Sequence, residues 1–214
     1  MPSTLVHVAL AGLFVAAVLP DDLFDRRAVA VAAGLTVLPD LDVFFGPVIT
    51  GAHRSLGHTL LFPASLAVVV AVDLRRVNPF VTRLVGPGGG VVAGVGLFAM
   101  TVAGIGLDYV VNGVNLFWPV HDQFFAANGR VVVSNQRGVV QTFVELTPEP
   151  TGDGGGQPRT TNNTHYSTGV DPRPGDEPEN VERLFPLVRS GWQLLLLVGS
   201  VVVVGARLRL TDRS

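Results

Sequence analysis

Residues 91–111 read VVAGVGLFAMTVAGIGLDYVV, a run of 21 in which Asp108 is the one charged side chain. A bilayer core takes about 20 consecutive apolar residues as a helix, so this stretch reads as a membrane span with a carboxylate near its end. Four more apolar segments lie around it, at 5–19, 28–45, 59–72 and 187–206. The last is long enough to span by itself, whereas 5–19 and 59–72 reach across only if their polar ends are included. The expected fold class is an all-α membrane protein of about five transmembrane helices, carrying an extramembrane insert with a β-hairpin and a disordered stretch.

Composition agrees with that reading. Hydrophobic residues make up 48% and charged residues 15%, with mean hydropathy +0.44, where soluble domains carry about 25% charged residues. All 15 basic residues are arginine, the net charge is -2 and no basic patch is present, so nucleic acid is excluded as a partner. The absence of cysteine excludes disulfides, thiolate ligands and a cysteine nucleophile, so a metal must be held by histidine and carboxylate. Residues 1–6 contain no Arg or Lys, and the first segment therefore reads as an uncleaved helix, not a signal peptide.

The chain divides into a four-helix membrane core at 1–112, an insert at 113–186, a fifth helix at 187–206 and a basic tail at 207–214. Within the insert, 129–146 (GRVVVSNQRGVVQTFVEL) alternates β-branched and polar residues around Asn135 and Gly138 and reads as a β-hairpin. Residues 148–180 are rich in Gly, Pro, Asp and Thr and read as disordered. His165 falls in that stretch and is discounted, while His121 and Asp122 read as surface residues. The GPGGG at 86–90 lacks the Lys-Ser/Thr of a phosphate loop and reads as a turn, and Gly94, Gly96, Gly104 and Gly106 read as sites of close helix packing.

Orientation follows from arginine placement, since cytoplasmic loops accumulate basic residues. With five spans, Arg26, Arg27, Arg75, Arg76, Arg83, Arg207, Arg209 and Arg213 lie near helix ends on one side, and near helix ends on the other lie Arg54, Arg183 and Arg189, or four if Arg130 is counted. The N-terminus and the insert are expected outside and the C-terminus in the cytoplasm. The Asn162-Asn163-Thr164 sequon in the insert agrees.

Charged residues near a membrane need a reason, because at mid-bilayer each costs at least about 2.5 to 3.5 kcal/mol. His7 lies near the start of the first segment, Asp40 and Asp42 in LPDLD near the end of the second, His53, Arg54 and His58 in HRSLGHTL at the start of the third, and Asp108 near the end of the fourth. Under the five-span topology all these ends point outward. Three His and three Asp at one membrane face make a metal-site composition suited to zinc first, then manganese or iron. Six candidates exceed the four of a tetrahedral zinc, which leaves room for one ion or two. Asp40 and Asp42 would diverge on a regular helix, but Pro39 permits an irregular turn in which both face one ion. The five-residue spacing of His53 and His58 suits one ligand in a loop and one in the first turn of a helix. Arg54 is either a headgroup snorkeller or a planar, bidentate clamp on a carboxylate or phosphate.

At these residues the chain resembles the membrane-bound metal-dependent hydrolases, the YdjM-like inner-membrane hydrolases. The match consists of His7, the DxD at Asp40 and Asp42, HRxxxH[ST] at His53, Arg54, His58 and Thr59, and a later Asp108 followed by Trp118-Pro119, over about residues 1–120. The chain departs from the common form at Ser55, Gly57 and Thr59. The resemblance implies a metal-dependent hydrolase. A site at the membrane face points to a lipid or phosphoester as substrate, with Arg54 and Asp108 expected in catalysis. The competing reading is a metal-stabilised membrane scaffold or sensor without activity.

Overall fold

The structure, a computed structural model, describes residues 2–127, 129, 131–136, 138–141, 158–166, 168, 170 and 185–211. It is mostly helical. In chain order the elements are α1 (Thr4–Val18), α2 (Arg26–Val37), α3 (Leu61–Asp73), α4 (Phe80–Val85), α5 (Gly89–Ala99), α6 (Leu107–Val111), β1 (Val131–Ser134), β2 (Gly138–Gln141) and α7 (Gly191–Thr211).

Among the described residues, three continuous helices are long and apolar enough to cross a membrane: Arg26–Phe45, Gly89–Val111 and Gly191–Thr211. The first starts on Asp25, whose carboxylate accepts the Ala28 N–H at 2.7 Å as an N-cap. It ends by tightening from α2 into a 3-10 turn, Leu38–Phe45. Pro39 at the head of that turn has no N–H and cannot extend the α-helical ladder. The second joins α5 to α6 through a π-helical stretch, Met100–Gly106, which widens the helix just before Asp108. α1 and α3 are shorter apolar helices of 15 and 13 residues.

Packing relies on small side chains, as expected where lipid removes most of the hydrophobic drive between helices. Ala11, Val15, Leu19, Phe24, Ala28, Ala32, Val92, Ala99 and Ala103 form the buried core between α1, α2 and α5 with its π-helical continuation. A methyl at Gly96 would sit 2.9 Å from Leu35 Cδ1, so this glycine sets how closely α5 approaches α2. Gly94, by contrast, faces open space and makes no such contact. α7 lies on α1, where Gly12 leaves room for the Ser200 hydroxyl.

The two ends of the bundle differ chemically. At one end Arg207 of α7 donates to the carbonyls of Ala16 and Leu19, pairs with Asp21 at 2.7 Å and stacks over Phe24. Leu23 meets Gly88 at this end, and Asp73 accepts the N–H groups of Phe80 and Val81, capping α4. The other end carries the start of α1, the 3-10 turn, the connection 46–60 and the end of α6, and there Ser3 Oγ donates to Leu187 O.

The hairpin forms inside its expected range, with Val131 opposite Gln141, Val132 opposite Val140 and Val133 opposite Val139. Two expectations need correction. α3 begins at Leu61, so His53 and His58 both lie in the connection before it, not one in a loop and one in a helical turn. Residues 158–166, counted as disordered on composition, are packed: Thr161 is buried and Phe124 N–H donates to Arg159 O at 2.8 Å. Specific side-chain hydrogen bonds, described below, supply what the polar composition lacks in apolar surface. The remainder of 148–180, apart from Thr168 and Val170, lies outside the described residues.

Candidate metal centre

All seven polar residues singled out in the sequence meet at one end of the bundle. His7 comes from the second turn of α1, Asp40 and Asp42 from the 3-10 turn, His53, Arg54 and His58 from the connection 46–60, and Asp108 from the first turn of α6. His7, Asp42, His53, Arg54, His58 and Asp108 are buried, and Asp40 is partly so.

Asp42 organises the connection. Its Oδ1 accepts from His53 Nδ1 at 2.7 Å, and its Oδ2 takes His58 Nδ1 at 3.0 Å, Arg54 N–H at 3.0 Å and Gly57 N–H at 3.1 Å. Gly57 has to be small here, since a methyl would fall 2.3 Å from Pro39 O. Donation from Nδ1 to a carboxylate leaves the lone pair of a neutral His58 ring on Nε2. That Nε2 points to 3.3 Å from Asp108 Oδ2 and 3.5 Å from Asp40 Oδ1, and it is buried without a hydrogen-bond partner. Asp40 and Asp42 thus address opposite nitrogens of one imidazole.

His7 is in a similar position. Its Nε2 lies 3.5 Å from Asp108 Oδ1, and neither ring nitrogen has a hydrogen-bond partner although the residue is buried. Thr4, one turn earlier on α1, donates to Asp40 Oδ2 and fixes that carboxylate. His7, Asp40 and Asp108 form a group able to hold a metal ion, each offering a ligand atom within 4.8 Å of the others. Buried nitrogens without partners are rare and costly. A cation among these nitrogens and oxygens would satisfy them, so the donor set fits a metal held by nitrogen and oxygen.

Electrostatics favour the same occupant. Three carboxylates against one guanidinium leave two uncompensated negative charges while the imidazoles are neutral. Without an ion, burial works against a charged His58, but the Asp42 carboxylate, with Asp108 and Asp40 beside it, outweighs burial and holds the imidazole well above its ordinary range. A proton there offsets part of this charge, and a bound metal would have to displace it.

Arg54 holds Asp108 in place. Its Nη2 donates to Asp108 Oδ1 at 2.7 Å and its Nη1 to Gly113 O at 3.4 Å, while Nε is buried without a partner. The backbone of Arg54 is left-handed, φ 67°. Such a conformation costs a non-glycine residue about 1 to 3 kcal/mol and persists only where the surroundings enforce it. Here it turns the N–H to Asp42 while the side chain reaches Asp108. Asn115 N–H closes the turn from outside by donating to Arg54 O at 2.8 Å.

Sequence reasoning missed the layer that encloses this group. Tyr166 stacks over the Arg54 guanidinium, 4.7 Å from Cζ to the ring centroid, and its hydroxyl donates to Asn112 O at 2.8 Å. Asp122 accepts from Asn115 Nδ2 at 2.7 Å, Thr161 N–H at 3.0 Å and Thr161 Oγ1 at 2.7 Å, binding 158–166 to the segment after α6. The one available signal was a polar pair, Asn115 and Asp122, flanking the apolar LFWPV. His121 is exposed, as expected, whereas Asp122, expected at the surface as well, is half-buried because its carboxylate is taken up by Asn115 and Thr161.

Replacing Asp122 by Ala should therefore strip acceptors from fully buried Asn115 and from Thr161. The expected loss is about 1 to 3 kcal/mol, read as a lower thermal midpoint in detergent and faster proteolysis within 158–166. An unchanged midpoint and cleavage pattern would show that Asp122 does not hold this segment.

Comparison with curated proteins and with solved structures found no match. A family model, described as YdjM inner membrane protein, matches residues 1–165. That span takes in the bundle from α1 to α6, the whole buried His/Asp group and all but the last residue of the segment that packs over it, and on this match the chain belongs to the YdjM inner membrane protein family.

Proposed function

We propose that this chain is a membrane-embedded metal-dependent hydrolase whose metal is held by His7, Asp40, His58 and Asp108. The observation that carries the reading is the set of buried ring nitrogens on His7 and His58 that have no hydrogen-bond partner and face carboxylate oxygens. When bound, a divalent transition metal, zinc first with manganese or iron as alternatives, supplies an activated water whose pKa is lowered towards about 7. One ion suits the four convergent residues.

In this reading Asp42 and His53 support the site without ligating. Asp42 holds the Nδ1–H of His58 and so presents Nε2, the carboxylate–histidine arrangement that tunes metal ligands. Arg54 orients Asp108 and keeps Nε free of any acceptor, a donor available to an anionic transition state. The group sits at the bundle end opposite the arginine-rich connections around Arg26, Arg75, Arg83 and Arg207. With the positive end in the cytoplasm, five spans put the N-terminus, the site and the insert outside. Exposed Phe44 and Phe45 at the end of the 3-10 turn, with Val48, Phe117 and Val120 in connections, lie at the site's end, which suits a lipid or phosphoester met at the membrane face.

The alternative is a metal-stabilised scaffold or sensor, favoured by the fact that the four ligands come from separate elements that one ion would tie together. Metal analysis of detergent-purified protein, paired with a phosphoesterase and lipase screen, separates the two. The hydrolase reading expects bound metal and hydrolysis abolished by chelation. Bound metal without turnover, with unfolding on chelation, would replace it by the scaffold.

A further inference from the structure

Tyr166 stands between two guanidinium groups. One face of the contact is Arg54, buried and paired with Asp108. The other is Arg159, whose Cζ lies 5.4 Å from the ring centroid. Arg159 is exposed, and its contacts are neutral: Nη1 donates to Asn112 O at 3.4 Å, Nη2 donates to the Tyr166 hydroxyl, and Cζ lies 6.0 Å from the Phe124 ring. Among the described residues no carboxylate pairs with it. Its backbone is anchored as well, since Phe124 N–H donates to Arg159 O and neighbouring Thr161 is tied to Asp122.

An exposed arginine ordinarily swings free in solvent or pairs with an acid. Among the described residues Arg159 does neither: it lies beside aromatic rings, held by the Tyr166 hydroxyl and Asn112 O, and has donors left over from the five that a guanidinium carries. A pre-ordered planar fork of this kind suits a phosphate group, which accepts two parallel N–H bonds. The Phe117 ring packs on Phe125 at 5.8 Å, next to the Phe124 that underlies Arg159, so apolar surface adjoins the charge. We infer that Arg159, oriented by Tyr166, is the recognition residue for the phosphate-bearing headgroup of an amphiphilic substrate. The inference rests on the hydrolase reading for the word substrate, but the binding it describes does not need turnover. Tyr166 is a positioning residue in this arrangement, and it links headgroup capture to Arg54 and through it to Asp108.

The test is equilibrium binding to the full chain in neutral maltoside micelles, with dioctanoyl phosphatidic acid, dioctanoylglycerol and glycerol 3-phosphate as probes and metal content measured on each sample. Wild type is expected to prefer the phosphatidic acid to dioctanoylglycerol, and Arg159→Gln to lose about tenfold in affinity for the phosphatidic acid, with metal content and dioctanoylglycerol binding unchanged. Arg159→Lys keeps the charge without the fork and should recover part of the loss, and it serves as the readable variant if Arg159→Gln does not fold. Tyr166→Phe, which keeps the ring and drops the hydroxyl that orients Arg159, should fall between. Glycerol 3-phosphate competing as well as the lipid would support the phosphate site and make its source soluble. Phosphatidic acid binding equally to wild type and Arg159→Gln would overturn the inference even with metal present, whereas an Arg159-dependent preference in metal-free wild type would keep the headgroup site and remove the hydrolase reading.

Discussion

An Asp108→Ala protein is expected to lose both its metal and much of its stability. The Asp108 carboxylate is the partner of the buried Arg54 guanidinium at 2.7 Å and approaches His58 and His7 at 3.3 and 3.5 Å. Removing one half of a buried ion pair leaves the other charge uncompensated, at a cost of about 3 to 5 kcal/mol. Thermal melting in detergent should show a large drop, and metal should be absent from the purified protein. Arg54→Ala in the same background should be far less costly than in wild type, because the charge that Asp108→Ala leaves stranded is then gone. Additive losses in that double-mutant cycle would mean that the two side chains are not coupled and that Arg54 does not position Asp108.

The second large effect is expected at Gly51. Its φ is +63°, and a methyl group there would fall 2.6 Å from Thr161 O and 2.7 Å from Thr161 Cα. A side chain costs about 1 to 2 kcal/mol in this backbone conformation, and the collision with backbone adds about 1 to 3 kcal/mol because no flexible group can move aside. Gly51→Ala should lower the melting temperature and free 158–166 from the connection 46–60, exposing Arg54 as Tyr166 leaves it. Limited proteolysis within 158–166 reads this directly. Wild-type resistance to cleavage together with a wild-type melting temperature would show that the segment does not pack on Gly51.

Helix placement was readable in the sequence because apolar run length carries it: 91–111 lies within Gly89–Val111, and 28–45 within Arg26–Phe45. The convergence of His7, Asp40, Asp42, His53, Arg54, His58 and Asp108 at one bundle end was readable too, since charged residues inside apolar chain must find one another. What each does there was not. Asp40 and Asp42 were expected to face one ion, yet they bracket one imidazole, and only backbone geometry shows that Asp42 spends both oxygens on His53, His58 and two N–H groups. The π-helical turn before Asp108 has no local sequence signal; Gly104 within it lies beside Thr36 and Pro39 of the neighbouring helix. Residues 158–166 were misread since composition measures apolar burial, and this segment is held by Thr161, Arg159 and Tyr166 through specific hydrogen bonds and ring stacking.

The central claim is that a metal sits among His7, Asp40, His58 and Asp108, and His7 offers the cleanest test of it. Both ring nitrogens of His7 lack hydrogen-bond partners, so truncation breaks no hydrogen bond and removes mainly a ligand. Elemental analysis of detergent-purified wild-type and His7→Ala protein should find about one transition-metal ion per chain in the first and little in the second, with both eluting as folded protein of the same size. Metal-free wild-type protein, or equal metal in the two, would contradict the account.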